Sequence, residues 1–142
     1  MCIRDRFCVD RHRDSFRTLV KSLDYVIGNE HEWSSLYQTD LSAALEQAAR
    51  DSGLVVCTRS GHDVIVVRGE EQAVVPVRRV VPVDATGAGD QFAAGFLYGL
   101  ATGQSLAISG RMGCVAAAEV ISHFGARPET DLKALFRKED LI

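Results

Sequence analysis

Helical and strand-like hydrophobic patterns alternate along this chain, and that order constrains the fold more than any other feature, favouring helices layered on a sheet over a bundle or a sandwich. Phe16, Leu19, Val20 and Leu23 recur at helical spacing over 13–22 and lead into the apolar run Tyr25-Val26-Ile27, which Gly28-Asn29 ends. Residues 30–37 and 41–51 then read as helices, the second opened by Asp40 as N-cap and followed by Gly53. Residues 54–58 read as the next buried strand. Residues 64–67 and 73–75, flanking Arg68-Gly69-Glu70-Glu71, read as a hairpin. The run Val80-Val81-Pro82-Val83 is expected to form a further strand ending at Asp84. Gly87-Ala88-Gly89 marks a strand-to-helix turn before the helical pattern Phe92, Phe96, Leu97, Leu100, which Gly103 stops. The helix expected over 106–122 carries Gly110, Gly113, Ala116, Ala117 and Ala118, small residues that let a second helix or a ligand come close. Gly125-Ala126-Arg127-Pro128 breaks the pattern, and 131–139 reads as a short closing helix.

The 142 residues suit one domain with a core of its own. Sixteen Lys and Arg face 19 Asp and Glu, a formal charge of −3, which argues against a nucleic-acid surface. The exception is local, where Arg4, Arg6, Arg11, Arg13, Arg17 and Lys21 outnumber the acids of the first 21 residues. The longest apolar run, 114–118, is far below the roughly 20 residues that cross a bilayer, and no signal peptide is readable. A membrane partner is therefore not expected. Cys2, Cys8, Cys57 and Cys114 form no C-x-x-C pair, so a zinc site is not expected; Cys57 and Cys114 read as small buried hydrophobes of a reducing cytoplasm. His12, His31, His62 and His123 share no spacing and read as surface or turn residues, and Trp33 as a residue that packs helix on sheet.

Chemistry concentrates in Asp84-Ala85-Thr86-Gly87-Ala88-Gly89-Asp90. Glycines let successive N–H groups converge, and a helix starting there adds roughly half a positive charge, so the turn can hold an anion. Asp90 beside those donors would repel a phosphate unless it has a task, and accepting the proton of an attacking hydroxyl is one; that arrangement fits phosphoryl transfer. The local pattern equally admits a plain glycine-rich helix start with Asp90 as a dipole partner. Two other phosphate loops fail. Gly87-Ala88-Gly89-Asp90-Gln91-Phe92 lacks the third glycine of G-x-G-x-x-G, and no Gly-Lys-Ser/Thr tripeptide occurs.

Residues 84–99, DATGAGDQFAAGFLYG, resemble the C-terminal signature of the ribokinase (PfkB-type) family of sugar and nucleoside kinases. Asn29-Glu30-His31-Glu32 resembles its N-x-x-E element, Thr58-Arg59-Ser60-Gly61 stands in the place of its T-x-G nucleotide loop, and 114–128 resembles its last ATP-side helix and loop. The likeness covers about residues 7 to 139 and is greatest to bacterial members of adenosine kinase type. It implies a ribokinase-like three-layer α/β/α sandwich with a mostly parallel sheet, of which this chain is the C-terminal part.

The resemblance further implies ATP and Mg²⁺ as cofactors, a nucleoside or sugar as substrate, a cytoplasmic location and a homodimer for the full-length protein. By the same likeness Asp90 is the base, and the N–H groups of Gly87, Ala88 and Gly89 hold the transferring phosphoryl group. Glu32, with Asn29, acts through water on Mg²⁺ and the phosphates; on the residues alone this pair reads as a strand-end turn and a solvated helix face. Thr58, Ser60 and Gly61 face ATP, and Cys114 lies near the adenine or is simply a core cysteine. A K⁺ site maps to Asp84, Thr86, Val120, His123 and Gly125.

The sequence departs from the family at Ala85, where many members are polar, and at Gly61-His62-Asp63, which does not close on a later glycine. The family's paired-glycine substrate motif, sugar-binding acid and lid are absent from these residues. Residues 1–6 do not continue the pattern and are expected to be a foreign leader, with the kinase part over 7–142. The expected activity is ATP-dependent phosphoryl transfer to a hydroxyl, adenosine being the preferred acceptor. The alternative is a catalytically incompetent piece that binds nucleotide weakly. A dinucleotide oxidoreductase would need the missing glycine and an acidic ribose ligand.

Overall fold

The computed structural model describes the backbone of residues 2–3 and 6–142 and the side chains from residue 8 onward. The leader expected over 1–6 therefore lies outside the described side chains, as do Arg4 and Arg6 of the basic cluster. Two compact units divide the chain, residues 1–74 and 75–142.

The first unit opens with strand β1 (Cys2–Ile3) and helices α1 (Arg6–Arg11) and α2 (Arg13–Val20), and continues through β2 (Tyr25–Asn29), α3 (Glu30–Tyr37) and α4 (Leu41–Asp51). Strands β3 (Leu54–Arg59), β4 (His62–Arg68) and β5 (Glu71–Val75) complete a five-stranded sheet of order β1-β2-β3-β4-β5. The first three strands run parallel, with Tyr25 opposite Leu54 and Asn29 opposite Thr58. Strand β4 turns back antiparallel, so the sheet is mixed. Burial follows pairing. The middles of β2 and β3 are continuously buried, as parallel strands covered on both faces must be, whereas β4 buries only Val64 and Val66 in alternation.

Trp33 and Leu36 of α3 are fully buried against Val26 of β2 and Val55 of β3, with Val20 and Ala44 in the same core. Each such side chain contributes about 1.5–3 kcal/mol by leaving water. The Trp33 indole N–H donates to the Val56 carbonyl at 3.1 Å, so this residue packs helix on sheet as its sequence context predicts. Tyr37 donates to Asp51 at 3.0 Å, and Arg17 lies 5.1 Å above its ring. Burial first, then Asp51, pushes the Tyr37 phenol above its ordinary range. Arg13 donates to the Ser35 carbonyl and pairs with Asp10, and Lys21 pairs with Asp51. The basic residues of α2 thus serve their own unit.

The second unit holds α5 (Ala88–Ala101), α6 (Leu106–Val120) and α7 (Leu132–Lys138). Helices α5 and α6 approach so closely that a β-carbon on Gly95 would lie 2.6 Å from the Met112 carbonyl oxygen, and one on Gly113 would lie 2.8 Å from the Phe92 ring. The small residues therefore serve helix packing. Phe136 of α7 packs with Met112 and Ala116 of α6. No helix among the described residues is long and apolar enough to cross a membrane.

Two sequence readings are corrected. Residues 80–83 form no strand: Pro82 has no N–H, Val81 is 89% exposed, and the N–H groups of Val83 and Asp84 both go to the Ile121 carbonyl, which ties the segment to the loop after α6. Cys57 is fully buried, but Cys114 is only partly so, because its neighbours Met112 and Gly113 occupy the seam with α5. His123, expected on the surface or in a turn, lies in the turn after α6 with its side chain 15% exposed, while His12, His31 and His62 are exposed.

Candidate active site

Helix α5 begins at Gly87, whose φ of +81° is left-handed. A side chain there would be strained twice, since a β-carbon would also lie 2.8 Å from that of Ala126. The turn before it is held by Asp84. One carboxylate oxygen accepts the Thr86 N–H at 2.9 Å and the other accepts the Gly125 N–H at 3.1 Å. Hydrogen bonds from Thr86, then from Gly125, hold the Asp84 carboxyl below the usual carboxylate range.

Gly87 caps with no side chain, and the first helical N–H groups, those of Ala88 and Gly89, precede the regular ladder. The Ala88 N–H reaches the Ala85 carbonyl at a long 3.3 Å, and the regular ladder starts with Gln91 donating to Gly87 at 2.9 Å. Gly89 and Asp90 are exposed at the positive end of a 14-residue helix. This end can take up an oxyanion, with the Asp90 carboxylate carried in the same first turn. It fits a phosphate group by its donors rather than by cationic side chains.

The loop following α6 backs this turn. Besides Gly125, it supplies the Ala126 carbonyl, which accepts from the Gln91 side chain at 3.3 Å. Its far end is held by Glu119, whose Oε1 accepts the N–H groups of Glu129 at 2.9 Å and Thr130 at 2.8 Å. Glu119 Oε2 lies 3.4 Å from His123 Nε2. Burial alone would raise the Glu119 carboxyl, but the Thr130 and Glu129 N–H groups and His123 outweigh it and lower it. The backbone of Phe124 and the carboxylates of Glu119 and Glu129 raise His123, against partial burial.

Asp84, Thr86 and Gly125 of the expected K⁺ set are thus joined directly, and His123 lies on the same loop. Val120 is buried as the last residue of α6. Sequence reasoning missed Glu119, Gln91 and Ala126. Glu119 had a signal, being an acid in the last turn of a helix, where the macrodipole disfavours negative charge.

In the first unit Asn29 and Glu32 form a capping box. Asn29 Oδ1 accepts the Glu32 N–H at 3.0 Å, and Glu32 Oε2 accepts the Asn29 N–H at 2.7 Å. Glu32 is 5% exposed, so a solvated helix face is excluded for it. Asn29 pairs with Thr58 across the carboxyl ends of β2 and β3, the end of a parallel sheet at which ligands bind. The β3–β4 register slips between Cys57 and Arg59, beside Thr58, and Gly61 turns the chain at φ +78° with open space around it. Ser60 is exposed in the same turn. A groove of about 620 Å³ between α4 and the β4–β5 hairpin is lined by Leu41, Leu45, Ile65 and Val67, and of the segment 58–61 only Arg59 reaches it.

Among the described residues no group of three or more His, Cys, Asp or Glu is placed to hold a metal directly. Glu32, with one oxygen committed to its cap, fits an ion that keeps its waters and is held chiefly by phosphates.

The chain matches the model of the pfkB family of carbohydrate kinases over residues 1–132. It is similar to a probable sugar kinase from Rhizobium etli, with 42% identity and a TM-score of 0.96 over 100% of this chain and 44% of that one. The adenosine kinase of Sinorhizobium meliloti is 41% identical with a TM-score of 0.94, over 98% of this chain and 44% of that one. The ribokinase of Lactococcus lactis is 34% identical over 77% of this chain and 36% of its own length. The chain spans less than half the length of each of these proteins.

Proposed function

Because the chain belongs to the pfkB family of carbohydrate kinases, with the ribokinase-like α/β fold of its relatives, we propose that it carries the ATP-side and phosphoryl-transfer machinery of a nucleoside or sugar kinase. The acceptor we favour is adenosine, on the likeness to the Sinorhizobium meliloti enzyme. The observation that carries the reading is the Gly87 turn: a left-handed, side-chain-free cap, backed by Ala126, that opens first-turn amides beside the Asp90 carboxylate.

In this reading Asp90 accepts the proton of the acceptor hydroxyl as its oxygen bonds to the γ-phosphorus and the bond to the β-phosphate oxygen breaks, releasing ADP. The N–H groups of Gly87, Ala88 and Gly89 receive charge developing on the transferred oxygens. Thr58, Ser60 and Gly61 border the nucleotide from the carboxyl end of β3, and Cys114 faces its adenine. Mg²⁺, when bound, neutralises phosphate charge. Asn29 and Glu32 orient its water shell. Asp84, Thr86, Val120, His123 and Gly125 would hold a K⁺ ion beside the turn. The working protein is a cytoplasmic homodimer.

In a second reading the chain by itself binds nucleotide weakly and transfers no phosphoryl group. Titrating MgATP against the purified chain and assaying phosphoryl transfer to adenosine separates the two. Saturable binding with turnover supports the first reading, binding without turnover the second, and no binding contradicts both.

A further inference from the structure

The geometry points to Glu119 as a positioning residue for the phosphoryl-binding turn, acting through the loop over 121–130. This deepens the kinase reading and rests on it. Glu119 sits in the last turn of α6, where its charge opposes the helix dipole, yet its side chain is only 8% exposed. Such a placement is costly unless hydrogen bonds repay it. They do so chiefly at the far end of the loop, where Oε1 takes the N–H groups of Glu129 and Thr130 at 2.9 and 2.8 Å, while Oε2 lies 3.4 Å from His123 Nε2 within the loop. The near end of the loop begins at Ile121, whose carbonyl takes the Val83 N–H at 2.8 Å.

Between these two anchors lie the residues that touch the turn. The Gly125 N–H donates to Asp84, the Ala126 carbonyl accepts from Gln91, and the Ala126 methyl stands against Gly87. Gly125, with φ +99° and open space where a side chain would stand, meets the turn through its N–H. The loop is held at both ends, and Glu119 ties the far one, just before the Asp131 cap of α7, back to the end of α6. Releasing it frees Gly125 and Ala126 to move off, and with them the constraint that keeps Gly87 left-handed.

The test uses Glu119→Ala, Glu119→Asp and Glu119→Gln in the full chain without nucleotide, read by amide hydrogen exchange and backbone chemical shifts. Glu119→Ala is expected to exchange at least tenfold faster at Glu129, Thr130 and Gly125 and to shift the amides of residues 87–90. Glu119→Gln keeps an acceptor oxygen and is expected to restore both. If Glu119→Ala fails to fold, Glu119→Asp, one methylene short, decides, with faster exchange at Gly125 expected. Loosening confined to Glu129 and Thr130, with Gly125 and residues 87–90 unchanged, overturns the assignment, as does Glu119→Gln behaving like Glu119→Ala. In a turnover assay Glu119→Asp should lower kcat about tenfold with KM for ATP within twofold. A wild type without turnover would defeat the kinase reading while leaving the exchange result to judge Glu119.

Discussion

Gly87 and Ala126 stand so close that a β-carbon on Gly87 would lie 2.8 Å from the β-carbon of Ala126. The loop after α6 thus forms the back wall of the turn that opens α5, and glycine is required there by space as well as by a φ of +81°. Gly103, at φ +79° with nothing within 4 Å, has the same backbone demand without the wall. Gly103→Ala should cost about 1–2 kcal/mol, the left-handed penalty alone. Gly87→Ala adds about 1–3 kcal/mol for overpacking. Urea unfolding of the two variants measures the difference, and equal losses would mean that Ala126 yields freely.

The capping box makes a separate prediction about Asn29. Asn29→Ala should lower stability by about 1 kcal/mol, because the Glu32 N–H loses its acceptor, and Asn29→Asp should recover most of it. Urea midpoints check this. A full loss in Asn29→Asp would show that Asn29 acts on stability through something other than its cap.

Cys57 and the other thiols should differ sharply in reactivity. Burial, then the Glu30 charge, pushes the Cys57 thiol up to about 12, while Cys8 is exposed. Because the folded value lies above the unfolded one, the stability this thiol supports is complete below the unfolded pKa of about 8.5 and is lost as pH rises towards 12. Alkylation at pH 8 under native conditions should label Cys8 before Cys57, which mass spectrometry of tryptic peptides resolves. Equal rates would mean that β3 opens easily.

Much of the fold was legible because local signals agreed with packing. Asp40 reads as an N-cap and accepts the Ala43 N–H at 3.1 Å, and the helices Glu30–Tyr37 and Leu41–Asp51 start and stop where their apolar periodicity does. The strand expected at 80–83 failed for a tertiary reason: β-branched residues favour extended backbone, but a strand also needs a partner, and here the available acceptor is the Ile121 carbonyl. Helix α1 and the two-residue β1 are too short to leave a periodic trace.

At the site, the Gly87 turn was legible because glycine spacing writes backbone geometry into sequence. Its supports were not. Gln91, Glu119 and Ala126 lie far along the chain from the groups they serve, and only folding brings Gln91 to the Ala126 carbonyl, 35 residues away. Asn29 and Glu32 were found as a pair, but their mutual cap, with Glu32 buried, emerges only when α3 packs on the sheet.

The central claim is that Asp90 removes the proton of the acceptor hydroxyl. Asp90→Asn preserves shape and hydrogen bonding but cannot take a proton at neutral pH. In a preparation with kinase turnover, its kcat for MgATP-dependent phosphorylation of adenosine should fall by about 10²–10⁴, with nucleotide affinity retained. A kcat within twofold of the unsubstituted protein would contradict the assignment.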